Sequence, residues 1–346
     1  MRIGIRADGN SKIGTGHINR CIAVAKQLQK EGCRVFFYIT DEYYYEKIIS
    51  SNIKCKCING KWDDFSCDLN DFITLIRKDE INYLLLDNYY VDDLSVGAVA
   101  SVTRVAYIDD LRLGFKNCDM LINYDIANER FDYSGYEGSD ILLLMGSRYV
   151  PLREEFQMIK RTAVRDEVKN VMITTGGTDN YHISASIIKK ILADDMLKTI
   201  NYHVICGKFS KDKDFFERTI KENSTITVDT NVSNMAECMC ESDIVITGAG
   251  TTLFELACCG IPAICFIMAD NQIDNASSFS KKCGMIVAGD VNDSLEVMIG
   301  NTVRELKRLI LNKGIRKDMS DKMLGLVDGY GAGRIARAII ERAARG

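Results

Sequence analysis

The sequence predicts an α/β protein made of two doubly wound domains, each with a parallel sheet. Three observations carry this. Short continuous apolar runs such as "YLLLD" and "IVITG" recur along the chain, the pattern of strands buried on both faces. Stretches with helical apolar spacing separate them. In both halves a strand runs into a small, glycine-rich loop and then a helix, the unit in which open α/β sheets bind ligands.

The first strand spans Ile3 to Ala7 and gives way to a polar, glycine-rich loop. From Ile18 the apolar residues fall at Cys21, Ile22, Ala25 and Leu28, a helical period that Gly32 stops. The runs "RVFFYIT", "YLLLDNYY", "RVAYIDD", "MLINYD" and "ILLLMG" continue as strands. Several end in acidic or amide residues (Asp87 and Asn88, Asp109 and Asp110, Asn123 and Asp125), at the carboxyl ends where ligands bind. The charged stretch "PLREEFQMIKRTAVRDEVKN" begins at Pro151, one of two prolines, and reads as the crossing between domains. The expected domains are therefore 1–152 and 153–346, with the last helix a candidate to pack back on the first. The second series runs "VMITTGGTD", a helix over Ile183–Leu192, "NYHVICG", "STITVDT", a helix from about Asn234, "IVITGAGTT", "PAICFIM" and "GMIVAGD". The last 40 residues alternate charged and apolar positions at helical spacing.

With 346 residues, 47% of them hydrophobic, the chain can build two cores. A net charge of -4 suggests no polyanion-binding surface, so nucleic acid is not an expected partner. The thirteen cysteines are scattered, without zinc-knuckle or redox spacing, and several sit among core-like residues (Cys206, Cys258, Cys259, Cys265). They read as small hydrophobes in a reducing compartment. With three histidines, no metal site emerges. No apolar run reaches membrane-spanning length and the chain opens directly in a strand, so a soluble cytoplasmic protein is expected.

"GNSKIGTGH" lies where a dinucleotide loop would, but its glycines at 9, 14 and 16 do not give GxGxxG, and a GxxxxGK[ST] loop is missing. The other reading is that Gly14 and Gly16 turn the backbone so that His17 stands on the first turn of a helix. The positive helix end there favours a neutral imidazole, able to take a proton from water. Asp8 or Asp87 would orient the ring. The alternative is that His17 merely caps the helix or bonds within the loop. His182 either touches a ligand or faces water, and His203 reads as structural.

The second half carries "TTGGTDNYH" (Thr174 to His182) and "TGAGTTLFELACCGIPAI" (Thr247 to Ile264), small-residue loops between a strand and a helix start. Helix-start N–H groups bind phosphate, Thr251 and Thr252 add hydroxyls, and Glu255 is placed for a ribose diol. With "DNQIDNA" downstream, these loops point to one phosphorylated, nucleotide-like ligand, with the chemistry in the cleft between domains.

Taken in order, "RADGNSKIGTGHINRC", "LLLDNYYVD", "YIDD", "LLMGSRYVPLREEF", "TTGGTD" and "TGAGTTLFELACCGIPAI" resemble the UDP-sugar hydrolases of pseudaminic acid biosynthesis. These release UDP from a 2,4-diacetamido-2,4,6-trideoxy sugar and are similar to the MurG-like glycosyltransferases. "DGYGAGRI" near the end also resembles spore-coat polysaccharide proteins. The resemblance implies a GT-B architecture, two Rossmann-like domains facing each other across a cleft, with no metal or cofactor. It implies His17 as general base of an inverting hydrolysis. Asp8, Gly16, Asn19, Asp87, Asn88, Tyr89 and Arg153 would then approach the sugar or the water. Gly176, Gly177, Thr178, Asp179, Gly248, Ala249, Gly250, Thr251, Thr252, Glu255, Gln272 and Asn275 would hold UDP, with uracil near Phe209 and Ile226–Asp229. UDP-sugar and UDP are the implied partners, and a monomer is slightly favoured. A glycosyltransferase using a UDP-sugar donor, or a nucleotide-sugar-binding module, are the alternatives.

Overall fold

The computed structural model describes residues 1–10, 12–159, 163–177, 179–207, 211–230 and 232–345. Two compact units divide the chain, one of Met1–Glu154 with Gly329–Gly346 and one of Glu155–Asp328.

Among the described residues, the first unit holds a seven-stranded parallel sheet: β1 (Arg2–Ala7), β2 (Arg34–Ile39), β3 (Lys54–Cys57), β4 (Tyr83–Asp87), β5 (Arg104–Ile108), β6 (Met120–Asn123) and β7 (Leu142–Met145). Its spatial order is β3-β2-β1-β4-β5-β6-β7. Between strands lie α1 (Gly16–Lys30), α2 (Tyr45–Ser50), α3 (Leu69–Lys78) and α4 (Asp93–Ala100). The central strands are buried along their length because helices cover both faces, which is why they read as unbroken apolar runs. The edge strand β3, "KCKC", has no such run and escapes sequence reading. On α1 the apolar stripe Ile18, Cys21, Ile22, Ala25 and Leu28 is buried. Each large aliphatic residue of that stripe contributes roughly 1.5–3 kcal/mol. The helix ends before Gly32, whose φ of 80° only glycine adopts freely.

The second unit holds, among the described residues, a six-stranded parallel sheet in the order β10-β9-β8-β11-β12-β13. Its strands are β8 (Asn170–Thr174), β9 (Asn201–Ile205), β10 (Ile226–Asp229), β11 (Ile244–Gly248), β12 (Ala263–Ile267) and β13 (Ile286–Asp290). The helices are α5 (Ile183–Leu192), α6 (Lys213–Glu222), α7 (Met235–Glu241), α8 (Thr252–Cys259), α9 (Ile273–Cys283), α10 (Val291–Leu311) and α11 (Lys313–Met323). Fully buried Arg316 on α11 donates through Nη1 to the carbonyls of Leu309 (2.6 Å) and Ile310 (2.9 Å), and through Nη2 to Arg165 (2.9 Å) and Asp166 (2.8 Å). It satisfies carbonyls at the end of α10 that the helix itself leaves open.

The last helix, α12 (Gly331–Ala344), returns to the first unit and packs on α1. Gly331 meets the chain so closely that a Cβ there would lie 2.2 Å from the Val150 carbonyl oxygen. Arg334 donates to the Arg148 carbonyl at 2.6 Å, and Arg342 bonds the Asp140 carbonyl. All thirteen cysteines are free thiols, with Cys206, Cys259 and Cys265 buried and Cys258 half-buried. No described helix is long and apolar enough to cross a membrane.

Candidate functional site

In each sheet the strand order reverses at one point. β1 lies between β2 and β4, so the loops leaving β1 and β4 run to opposite sides and open a crevice at the carboxyl ends of these strands. β8 lies likewise between β9 and β11. Many of the expected site residues lie at these two points: His17 and Asp87 follow or end β1 and β4, and the two glycine loops follow β8 and β11, whereas Arg153 follows β7 and Gln272 and Asn275 follow β12.

In the first unit, Ala7 pairs in register with Asp87, which brings the loop after β1 beside the end of β4. That loop is closed by a bridge from Asn10 to Gly14, whose N–H donates to the Asn10 carbonyl at 2.9 Å. Asn10 Oδ1 accepts the N–H groups of Lys12 (2.8 Å) and Ile13 (3.2 Å). Gly14 takes a φ of 74°, a value that strains any residue with a Cβ. Gly16 is the first residue of α1, so Gly14 alone makes the left-handed turn. His17 then stands in the first helical turn, 6% exposed.

His17 Nδ1 lies 2.6 Å from Asp87 Oδ1. Asp87, 1% exposed, also takes the Arg20 guanidinium: Nε donates to Oδ2 at 2.6 Å and Nη2 bonds Oδ1. Arg20 Nη2 lies 2.9 Å from His17 Nδ1. Arg20 Nη1 donates to Asp110 Oδ2 at 2.8 Å and bonds the Tyr124 hydroxyl. Burial pushes the Asp87 carboxyl up, but the Arg20 and His17 charges and their hydrogen bonds more than reverse this, holding it well below the usual carboxylate range. Asp87 is thus an acceptor toward Nδ1, and in the neutral ring that carries Nδ1–H the remaining acceptor is Nε2.

Tyr89 meets His17 edge-on, ring centroids 4.4 Å apart, and donates its hydroxyl to Asp110 Oδ2 at 2.9 Å. Burial first, and Asp110 next, raise the phenol far above its ordinary range, so it stays protonated. Asp8 does not orient the histidine. Its Oδ1 accepts Thr40 N–H (2.6 Å) and Oγ1–H (2.8 Å), and Oδ2 lies 3.7 Å from Arg6 Nη2. Arg6 is itself fully buried against Phe65 and Phe72 and donates to Asp68 at 2.8 Å. Asn19 donates to Thr15 Oγ1 (3.3 Å) and accepts from Lys47 (2.7 Å). Arg153 is half-buried in the irregular segment that ends this unit. Asp8, His17, Asp87, Asn88 and Tyr89, together with Ile13, Trp62 and Tyr90, line one small pocket.

Sequence reading placed Asp110 at a ligand-facing strand end but not in this network, and it missed Arg20 and Tyr124 as members and Ile13, Trp62 and Tyr90 as walls. Arg20 carried a signal: it lies one helical turn beyond His17 and so shares its face. The others come from loops whose placement depends on strand order.

In the second unit, Gly176 takes a φ of 86° and its N–H donates to Thr174 Oγ1 at 3.2 Å. The loop after β9 presses on Gly177, since a Cβ at Gly207 would lie 2.1 Å from the Gly177 carbonyl oxygen. Asp179 is buried and caps α5: its oxygens accept Ile183 N–H (2.8 Å) and Ser184 N–H (2.9 Å). The first donors of α5 are therefore taken by the protein's own carboxylate. The start of α8 differs, because Thr251 gives it no side-chain cap. Within its first turn Leu253 and Phe254 donate to the Gly250 and Thr251 carbonyls (3.2 and 3.1 Å), and Gly250–Thr252 sits at the positive end of the helix. Gly248 ends β11, and Ala249 just after it donates its N–H to the Phe266 carbonyl at 2.8 Å. Gly250, Thr251, Thr252 and half-buried Glu255 follow through the first turn. Gln272 accepts Met268 N–H at 3.0 Å, and a Cβ at Gly250 would lie 3.9 Å from its Nε2. Asn275 is half-buried in the first turn of α9. Ile226–Asp229 is the edge strand β10, where Asp229 pairs with His203 at 2.8 Å. His182, half-exposed, pairs with Asp212 at 2.8 Å. Thr178 and Phe209 lie outside the described residues.

Two parallel-sheet units of this topology, each with small-residue loops at its switch point, define the GT-B fold. The structure of MurG from Acinetobacter baumannii superposes with a TM-score of 0.65 at 15% identity, covering 99% of this chain and all of that one. Residues 171–323 match the model of the glycosyltransferase family 28 C-terminal domain. An uncharacterized protein of Methanocaldococcus jannaschii is 26% identical over 82% of this chain, which spans 59% of that protein's length. The UDP-2,4-diacetamido-2,4,6-trideoxy-beta-L-altropyranose hydrolase of Campylobacter jejuni is 26% identical over 82% of this chain and 97% of its own.

Proposed function

We propose that the protein is an enzyme that moves a glycosyl group from a UDP-sugar to an oxygen nucleophile, with His17 as general base. The observation that carries the reading is the 2.6 Å contact from Nδ1 to ionised Asp87. It fixes the tautomer in which Nε2 accepts a proton, and it offsets the charge of the imidazolium then formed. In the reaction the nucleophile's oxygen bonds to the anomeric carbon as its proton passes to Nε2. The bond from that carbon to the diphosphate oxygen breaks, and UDP leaves with the electron pair, inverting the centre. His17 is asked for roughly 10²–10⁴ in rate.

The second unit is proposed to hold UDP: N–H groups of Gly250–Thr252 at the start of α8 and of Gly177 on the diphosphate, and Glu255 on the ribose hydroxyls. The family 28 match over residues 171–323 supports this assignment. Asp179 acts by shaping its loop, since its carboxylate is spent on α5. In the first unit Asp8, Asn88 and Tyr89 are the sugar-side residues. Asn19, whose amide is engaged by Thr15 and Lys47, supports α1 instead.

The glycosyltransferase match supports an acceptor hydroxyl as the nucleophile. Hydrolysis, with water in that place, is the second reading, favoured by the likeness to the Campylobacter hydrolase over nearly all of that protein. A UDP-release assay decides. UDP-N-acetylglucosamine and the UDP-linked 2,4-diacetamido sugar are incubated with and without hydroxyl acceptors, and the product anomer is read by NMR. Release without an acceptor marks a hydrolase, and release only with one marks a transferase. Tight binding of UDP-sugar without release under either condition sinks the catalytic reading.

A further inference from the structure

The side chains behind His17 form a closed circuit. His17 Nδ1 meets Asp87 Oδ1 at 2.6 Å, and Arg20 Nε donates to the other Asp87 oxygen at 2.6 Å. Arg20 Nη1 donates to Asp110 Oδ2 at 2.8 Å, the same oxygen that accepts the Tyr89 hydroxyl at 2.9 Å. Tyr89 closes the circuit by meeting the imidazole edge-on, centroids 4.4 Å apart. The proposed chemistry uses His17, Asp87 and Tyr89 and leaves Arg20 and Asp110 without a part.

The charges in the circuit can be assigned. From α1, Cys21 donates its thiol to Asp87 Oδ2 at 3.3 Å, and burial keeps it protonated. Tyr89 after β4 and Tyr124 after β6 are phenols raised by burial, so they too are neutral. Asp8, which lines the same pocket, shares Arg6 with Asp68 outside the circuit. What remains is one cation, Arg20, between two carboxylates, Asp87 at the end of β4 and Asp110 after β5. Arg20 is 5% exposed and its Nη2 lies 2.9 Å from His17 Nδ1. A cation that close opposes charge on the imidazole, and Asp87 alone would only balance it. Asp110 adds a second anion, which leaves the circuit one net negative charge toward an imidazolium.

We propose that Asp110 is a positioning residue for His17: through Arg20 it leaves the charge of Asp87 free for the imidazolium, and through Tyr89 it holds the ring from its edge. Arg20 ties the two carboxylates together while its own charge opposes the imidazolium. Neither residue takes part in bond making. This inference rests on the reading of His17 as general base.

The test first reads the charge without substrate. Histidine ring C–H signals of the full chain are followed by NMR against pH. With three histidines in the chain, the His17 signal is assigned by its loss in His17→Gln. Asp110→Asn keeps the shape and an acceptor for Arg20 and Tyr89 but removes the charge, and its His17 midpoint is expected about one unit below the parent's. Arg20→Gln leaves two carboxylates uncompensated and is expected to move the midpoint the other way. Tyr89→Phe opens the circuit without changing its charge, and its midpoint is expected nearer the parent's than that of either charge variant. In the UDP-release assay the acid limb of kcat is expected to move with the same signs. Asp110→Asn is expected to lose about tenfold in kcat near neutrality, with KM within about twofold. Circular dichroism verifies folding, and Asp110→Asn with Tyr89→Phe decides even where Arg20→Gln does not fold. A midpoint in Asp110→Asn equal to the parent's or above it overturns the proposal. So does a shifted midpoint with an unchanged kcat, which would leave Asp110 no part in turnover. If the parent releases no UDP from any UDP-sugar while the NMR shifts are as expected, it is the general base that falls, and the positioning role with it.

Discussion

Asp87 accepts from His17 and Arg20 at once, with His17 Nδ1 2.6 Å from one carboxylate oxygen and Arg20 Nε 2.6 Å from the other. One buried anion therefore sets both the tautomer of a histidine on α1 and the rotamer of an arginine a turn later. Its ionised state depends on these partners, and theirs on it.

Replacement of His17 by Gln keeps a polar side chain of similar reach but removes the proton acceptor. UDP release is expected to fall roughly 10²–10⁴-fold. Calorimetric affinity for UDP is expected to stay near the parent value. Survival of full turnover in His17→Gln excludes the general base.

Asp87→Asn removes the charge that balances an imidazolium and lets the ring take the other tautomer. Turnover is expected to fall by at least about 10²-fold, in kcat more than in KM. An unchanged kcat would mean that Nδ1–H needs no anionic partner.

The same carboxylate makes stability depend on pH. Its folded pKa is depressed below the unfolded value of about 4, so its contribution is complete above that pH. As pH falls below about 4, the unfolded chain gains a proton that the folded chain refuses, and the contribution shrinks toward the lower folded value. Urea denaturation of the parent and of Asp87→Asn is expected to show a gap that is constant near neutrality and narrows below that point. A gap that widens on acidification would contradict the sign.

Asp179→Ala strips the cap from α5 and leaves two buried N–H groups open. The expected loss is about 2 kcal/mol, measured by denaturant unfolding.

Arg316→Met keeps the volume but leaves carbonyls of Leu309, Ile310, Arg165 and Asp166 without their donor. A loss of roughly 3–5 kcal/mol is expected, seen as a lower midpoint in the same unfolding experiment.

Local pattern was enough for much of this protein. Apolar runs and helical spacing marked β1, α1, β4 and the strands of the second unit, because burial on both faces of a parallel sheet leaves a mark on consecutive residues. The loops around His17, Gly176 and Gly250 were legible for the same reason, as glycine and small residues interrupting that pattern. What sequence could not supply was strand order. The reversal at β1 brings His17 to Asp87, seventy residues away, and carries Trp62 and Tyr90 to the same pocket. β3 passed unnoticed because an edge strand is not buried enough to need apolar residues. Likewise only the folded chain reveals that Asp179 spends its carboxylate on α5, while α8 keeps an uncapped start. Periodicity reports what each residue faces, and it is silent about which distant residue faces it in return.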